Sequence, residues 1–221
     1  DTYIGDRFNE FMENIEYELM FIGDYKFDNI ICPLSESQLG VYLDEKVNEK
    51  ETAYSVSGSV ECGSNYSIDE IKEAIYKLID KHPILKGRVV DGEIPLLVCD
   101  GHPIIKVADD YSDLIKPFVL DKSLSRFYIV KNNQSNSIFY DMHHIINDAT
   151  SLSIIKQDLN DALIGELDDK LDLGFVYASQ DSFESKFKSH YKNAKKFFTA
   201  EFEDIGDVGY LLKDIDGSQG K

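Results

Sequence analysis

Phe139-Tyr140-Asp141-Met142-His143-His144-Ile145-Ile146-Asn147-Asp148-Ala149-Thr150-Ser151 holds two of the chain's five histidines and changes periodicity in its middle. Upstream, Ser137 to Met142 alternates as a strand does. Downstream, from about Thr150 to Ile164, Leu152, Ile155, Leu159 and Leu163 recur at helical spacing. The histidines therefore stand at a strand end just before a helix. Successive strand side chains point to opposite faces, so His143 and His144 are expected to diverge. Divergent neighbours do not readily share one metal ion, and His82, His102 and His190 show no ligand spacing to them. One imidazole can pack in the core while the other faces an open cleft, where an ordinary pKa of about 6.5 suits proton transfer. Asp148 sits where the chain enters the helix, placed to cap it, accept backbone N–H bonds or pair with an arginine. Spacing alone leaves His144 open between a packed structural histidine and a reacting one.

Working outward, Arg126 to Lys131 and Ser137 to Met142 flank Asn132-Asn133-Gln134-Ser135-Asn136 and read as a hairpin. Arg88 to Val90, Leu96 to Cys99 and Ile104 to Val107 are short strand-like pieces, and Ala53 to Cys62 alternates like a half-exposed strand. Ile68, Ile71, Ile75, Leu78 and Ile79 mark a helix that stops before Pro83. Ser35, with Glu36 and Gln38 behind it, is an N-cap signature for a helix over 36–43. Phe8, Phe11, Met12, Ile15 and Leu19 predict an opening amphipathic helix, followed by a turn or linker from Gly23 to Asn29. Phe183, Phe187, Tyr191, Ala194, Phe198 and Phe202 form the stripe of one last long helix, and Asp214 to Lys221 is a loose tail. Helices alternating with strands and hairpins predict the α/β class, a two-layer mixed sheet with helices.

The 221 residues are 43% hydrophobic and 12% aromatic, enough for a core of their own. A formal net charge of −18 argues against nucleic acid or an anionic membrane as partner. No apolar run reaches the roughly 18 residues of a membrane span, and Asp1 to Glu10 is acidic where a secretory signal is basic. Arg7, Arg88 and Arg126 are the only arginines, the residue type suited to fixed, partly buried ion pairs. Cys32, Cys62 and Cys99 are far apart and odd in number, so buried free thiols in a reducing cytoplasm are expected.

His143, His144, Asp148 and Ala149 resemble the His-His-x-x-x-Asp-Gly motif of the condensation-domain and chloramphenicol-acetyltransferase superfamily. Three further stretches fall in the order that condensation domains show. Pro33-Leu34-Ser35-Glu36-Ser37-Gln38-Leu39-Gly40-Val41-Tyr42 is similar to the opening Leu-Ser-x-x-Gln motif with its aromatic. Lys81-His82-Pro83-Ile84-Leu85-Lys86-Gly87-Arg88-Val89 is similar to the Arg-His-x-x-Leu-Arg segment closing the first long helix. Asp121 to Val130, with Leu124 and Arg126-Phe127-Tyr128, is similar to the Pro-Leu-x-Arg-x-x-Leu strand. Ala149 replaces the usual Gly, Lys81 and Lys86 replace both arginines, and such domains run to about twice this length, as two lobes with a tunnel between them.

The resemblance implies the N-terminal lobe of a nonribosomal peptide synthetase condensation domain, with the chloramphenicol acetyltransferase-like fold. Residues 1–30 would be an N-terminal helix and linker, 31–205 the lobe, and 206–221 a tail leading to a second lobe. Such domains join a donor acyl or peptidyl thioester to the amine of an acceptor aminoacyl thioester. Both hang from phosphopantetheine arms of carrier proteins, and no cofactor is bound directly. His144 would be the base or positioning residue, with His143, Asp148, Ala149 and Arg126 as structural support. Partners would be the two carriers and neighbouring synthetase domains. The alternatives are an acyl-CoA-dependent acyltransferase of the same superfamily and a non-catalytic carrier-binding lobe.

Overall fold

A computed structural model of the chain describes residues 30–48, 52–63, 65–131, 135–185 and 188–202. The expected helix over 8–19, the linker after it and the tail from Asp214 lie outside the described residues. Contacts divide the chain into two units at Phe183/Glu184. In the first, β1 (Ile31–Pro33) leads into α1 (Glu36–Val47). Ser35 and Gln38 close a capping box there: Gln38 N donates to Ser35 Oγ, and Ser35 N to Gln38 Oε1 at 2.9 Å. The helix continues four residues past the expected Leu43.

β2 (Ser55–Gly63) is followed by α2 (Ile68–Lys81), which starts from a second capping box between Ser67 and Glu70. Ile71, Ala74, Ile75, Leu78 and Ile79 form its buried face. Pro83 cannot extend an α-helix, and the chain instead makes a 3-10 turn, Pro83–Lys86. β3 (Arg88–Val90), β4 (Leu96–Val98), β5 (Ile104–Ala108), β6 (Ser125–Val130) and β7 (Asn136–His143) come next. α3 (Ala149–Ile164) ends at Gly165, whose φ of 78° is left-handed and suits a residue without a Cβ.

The strands form two sheets. β1, β4 and β3 make a small antiparallel one; β2, β7, β6 and β5 make a four-stranded mixed one in which only β5 and β6 run parallel. The register of the larger sheet sorts its side chains. Val56↔Met142, Gly58↔Tyr140 and Val60↔Ile138 share one face with Phe127 and Ile129, and that face meets Ile71, Ile75, Leu78, Ile155 and Leu159 of α2 and α3 in the core. Helices over one sheet face give the expected two layers. A Cβ on Gly58 would fall 2.5 Å from the Tyr140 hydroxyl, so the bare backbone there is what admits the Tyr140 ring. The opposite face carries Ser55↔His143, Arg126↔Asp141 and Tyr128↔Phe139.

The single long helix expected through Phe183 and Phe202 is a misreading. α4 (Gly174–Ser185) and α5 (Ser189–Glu201) are separate, and Lys188 between them is extended at φ −70°, ψ 149°. α4 buries only Val176 and Ser179, too sparse a pattern to announce its start at Gly174. In the second unit, α5 carries the T-shaped pair Phe197–Phe198 and stacks Phe198 on Phe202. Cys32, Cys62 and Cys99 are buried free thiols, and burial pushes Cys32 and Cys62 up to about 11. Among the described residues no helix is long and apolar enough to cross a membrane.

Candidate active site

β7 ends at His143, and a turn of five residues leads to α3. The last strand residue keeps the strand's alternation, so His143 lies on the sheet face away from α2 and α3 and is 1% exposed. His144, past the strand end, is exposed. The two imidazoles thus differ in solvent access although adjacent in sequence.

The backbone around His144 is fixed from several sides. His144 N donates to Tyr54 O at 2.8 Å, and Ile146 N donates to His143 O at 3.0 Å. Ile145 N donates to His143 Nδ1 at 3.1 Å. Gln38, whose Oε1 caps α1, donates its Nε2 to Ile145 O at 2.8 Å. The turn is thereby bound to the residue before β2, to α1 and to the imidazole one residue before it.

His143 itself sits between two rings, Tyr54 and Phe118, each 5.7 Å away centroid to centroid. Burial, with the neighbouring His144 as a smaller cause, pushes it down to about 4. A neutral ring that accepts at Nδ1 carries its proton on Nε2, which faces Glu45 Oε2 at 3.7 Å.

Asp148 is the N-cap of α3. Its Oδ1 accepts from Ser151 N at 2.8 Å and Ser151 Oγ at 2.7 Å. These hydrogen bonds hold its carboxyl below the ordinary value. Of the roles open to Asp148, capping the helix by accepting from Ser151 is the one the structure shows. Ala149 is the first residue of α3 and has no positive φ, so the methyl group replacing the family's usual Gly costs no backbone strain there.

Arg126 stands one strand away, on β6, buried at 6%. Its Nε donates to Asp141 Oδ2 at 2.8 Å, its Nη2 donates to Lys116 O, and its guanidinium lies 3.8 Å from the Phe118 ring centroid. Phe118 contacts both Arg126 and His143, so Arg126 reaches the turn through that ring. Burial pushes the Asp141 carboxyl up, and Arg126 acts in the opposite sense. Lys81 and Lys86 make point contacts, Lys81 to Asp158 and Asp168, Lys86 to Asp80.

Four residues of this arrangement escape the sequence reading: Glu45, Tyr54, Phe118 and Asp141. Asp141 had a signal, since it lies two residues before His143 and therefore on the same strand face. Tyr54, just before β2, is brought here by the β2–β7 pairing, and Glu45 comes from α1; both are distant in sequence from the histidines.

A family model, the condensation domain, matches residues 29–163. The chain belongs to this family. Among curated proteins, this condensation-domain chain is 26% identical to bacitracin synthase 2 of Bacillus licheniformis over 204 residues, covering 83% of the chain and 8% of that protein. It is 28% identical to surfactin synthase subunit 2 of Bacillus subtilis over 140 residues, covering 58% of the chain and 4% of that protein. The chain therefore spans less than a tenth of these relatives. Among solved structures, the starter condensation domain of rhizomide synthetase RzmA superposes with a TM-score of 0.64 at 12% identity, over 80% of this chain and 49% of that one. The four-domain nonribosomal peptide synthetase AB3403 gives a TM-score of 0.57 at 18% identity, over 71% and 14%. At such identity the structural likeness establishes the fold, and it is the condensation-domain fold.

Proposed function

We propose that the chain is the N-terminal part of a nonribosomal peptide synthetase condensation domain and that His144 is its reacting residue. Residues 31–205 make the first lobe, and 206–221 lead towards a second. The reading rests chiefly on one observation: the turn after β7 presents His144 to solvent on a backbone fixed by Tyr54 and His143, while His143 is buried.

The acceptor amine nitrogen attacks the donor thioester carbonyl. A C–N bond forms, the C–S bond breaks, the amine loses a proton and the departing phosphopantetheine thiolate gains one. Thioester aminolysis is downhill, and juxtaposing the two arms supplies several kcal/mol by proximity, up to roughly 11 for ideally oriented groups. His144 accepts the amine proton or hydrogen-bonds the amine and the tetrahedral intermediate. Asp148 shapes the turn and takes no proton. The carriers and neighbouring synthetase domains are the partners, in the cytoplasm, and the isolated lobe, with one wall of the tunnel, does not turn over alone.

The test is a single-turnover assay of the complete protein with both carriers loaded. His144→Ala should lose roughly 10²- to 10⁴-fold in rate with normal folding. Greater loss in a stable His143→Ala would reverse the assignment of the two faces. A second reading has one observation in its favour: a variant of the RzmA starter domain was crystallised with C8-CoA and Leu-SNAC, at a TM-score of 0.63 and 13% identity over 83% of this chain and 48% of that one. An acyl-CoA-dependent transferase would turn over with soluble acyl-CoA and no carrier.

A further inference from the structure

α1 has one buried residue, and it is Glu45, 5% exposed. Burying a carboxyl group costs several kcal/mol, on the order of 3 or more, unless something answers it. An amphipathic surface helix normally sends an aliphatic side chain to that position. Glu45 Oε2 instead reaches within 3.7 Å of His143 Nε2, and Nε2 has no hydrogen-bond partner among the described residues.

The other side of the same ring explains why this matters. Nδ1 accepts from Ile145 N, and an imidazole does so only when Nδ1 carries no proton. In the opposite tautomer, two N–H groups would face each other and the Ile145 amide would lose its partner. An acceptor beside Nε2 favours the proton there, and so favours the one tautomer that can hold Ile145 N. Tyr54 and Phe118 flank the ring without hydrogen-bonding it, so they fix its plane but do not choose between its nitrogens. Arg126, which reaches the ring through Phe118, brings donors and has no acceptor to offer.

We infer that Glu45 is a positioning residue for the His144 turn: its buried carboxyl selects the His143 tautomer that grips Ile145 N and so fixes the backbone presenting His144. The electrostatic distance of 3.7 Å is longer than a hydrogen bond, and it suffices to bias a tautomer without charging the ring. The catalytic half of this inference rests on the reading of His144 as the reacting residue; the tautomer half does not.

Two measurements separate them. In this chain carrying 15N-labelled histidine, long-range 1H–15N spectra near neutral pH should show His143 as the pure neutral Nε2–H form, with the Ile145 amide protected from exchange. Glu45→Ala should give a mixture of tautomers and faster Ile145 exchange. Glu45→Gln, which keeps the shape and an acceptor oxygen, should restore both, and it guards against a fold lost to the cavity. A doubly protonated His143 in the unaltered chain, or an unchanged tautomer in Glu45→Ala, overturns the inference whatever His144 does. In the complete protein, Glu45→Ala should lower kcat by up to roughly a hundredfold with KM for the loaded carriers unchanged, and Glu45→Gln should recover most of it. A mixed tautomer with undiminished kcat, where His144→Ala is inactive, overturns the positioning role. A mixed tautomer where His144→Ala is fully active instead removes the reading of His144.

Discussion

His82 Nε2 stands 2.6 Å from Asp158 Oδ2, with the histidine 4% and the aspartate 8% exposed. The contact ties the end of α2 to the middle of α3. The other ring nitrogen lies 3.1 Å from Asp172 Oδ2, in the segment before α4, and Lys81 Nζ joins Asp158 at 3.2 Å. Removing one partner from such a buried pair costs roughly 3 kcal/mol. His82→Ala should therefore lower the denaturation midpoint clearly at unchanged slope in chemical unfolding. Asp172→Ala should cost less, since its side chain is 46% exposed. Equal midpoints for His82→Ala and the parent chain would show that α2 and α3 are held by apolar packing alone.

Asp148→Ala should act first on stability. Ser151 N loses its acceptor at the start of α3, at about 1 kcal/mol, and Asp148→Asn should recover most of it. Because the folded carboxyl lies below its ordinary 3.8, its contribution is present above that value and fades as pH falls through the folded one. The group is exposed, so salt should weaken the effect. An unchanged melting temperature with abolished turnover would put Asp148 in the reaction itself.

His143 predicts acid lability of a definite sign. Its folded value is down at about 4 against an ordinary 6.5, so between the two the unfolded chain holds a proton that the folded chain refuses. Stability should fall as pH drops through that window, by on the order of 3 kcal/mol in all. His143→Gln should flatten this part of the pH–stability curve. A parent chain equally stable at both ends of the window would contradict the burial argument.

Arg126→Ala leaves Asp141, which is 0% exposed, without its cation. A loss of roughly 3–5 kcal/mol is expected near neutral pH, and Arg126→Lys should recover only part, lacking the planar guanidinium that lies over Phe118. The Asp141 carboxyl is already pushed up from 3.8 by burial, and further without Arg126. A carboxyl shifted upward favours the folded state at low pH and loses that advantage as pH rises from 3.8 through the folded value. The deficit of Arg126→Ala relative to the parent should therefore shrink on acidification. A deficit that stays constant with pH would mean lost packing and not a stranded charge.

The elements around the histidines were legible because each carries a local signal. Ser35 opens its helix with a capping box, Pro83 ends α2, and Ile71, Ile75 and Leu78 repeat at helical spacing. The place of His143 on the sheet face away from α2 and α3 followed from strand alternation, whereas His144 is exposed in the turn beyond the strand. What escaped has no local signal. Glu45 lies in a helix of otherwise half-buried and exposed residues, and nothing nearby in sequence marks it as facing His143. The Phe183 to Phe202 stripe misled because aromatic spacing survives a break: Lys188 turns the backbone without disturbing the pattern. Arg126 and Asp141 could be paired only once the β6–β7 register was known.

Gln38 has two ends that make opposite demands. Its oxygen must accept from Ser35 N, and its nitrogen must donate to Ile145 O. The amide is thus a polarised plug, seated one way round. Glutamate has the same length but only acceptors, so it would finish the helix cap and repel the Ile145 carbonyl. Lysine could reach the carbonyl and would leave the cap open. The side chain has no isostere that serves both ends. A substitution there cannot loosen α1 and the histidine turn one at a time by simple truncation, and a designer wishing to graft this turn onto another scaffold must carry the first turn of α1 with it.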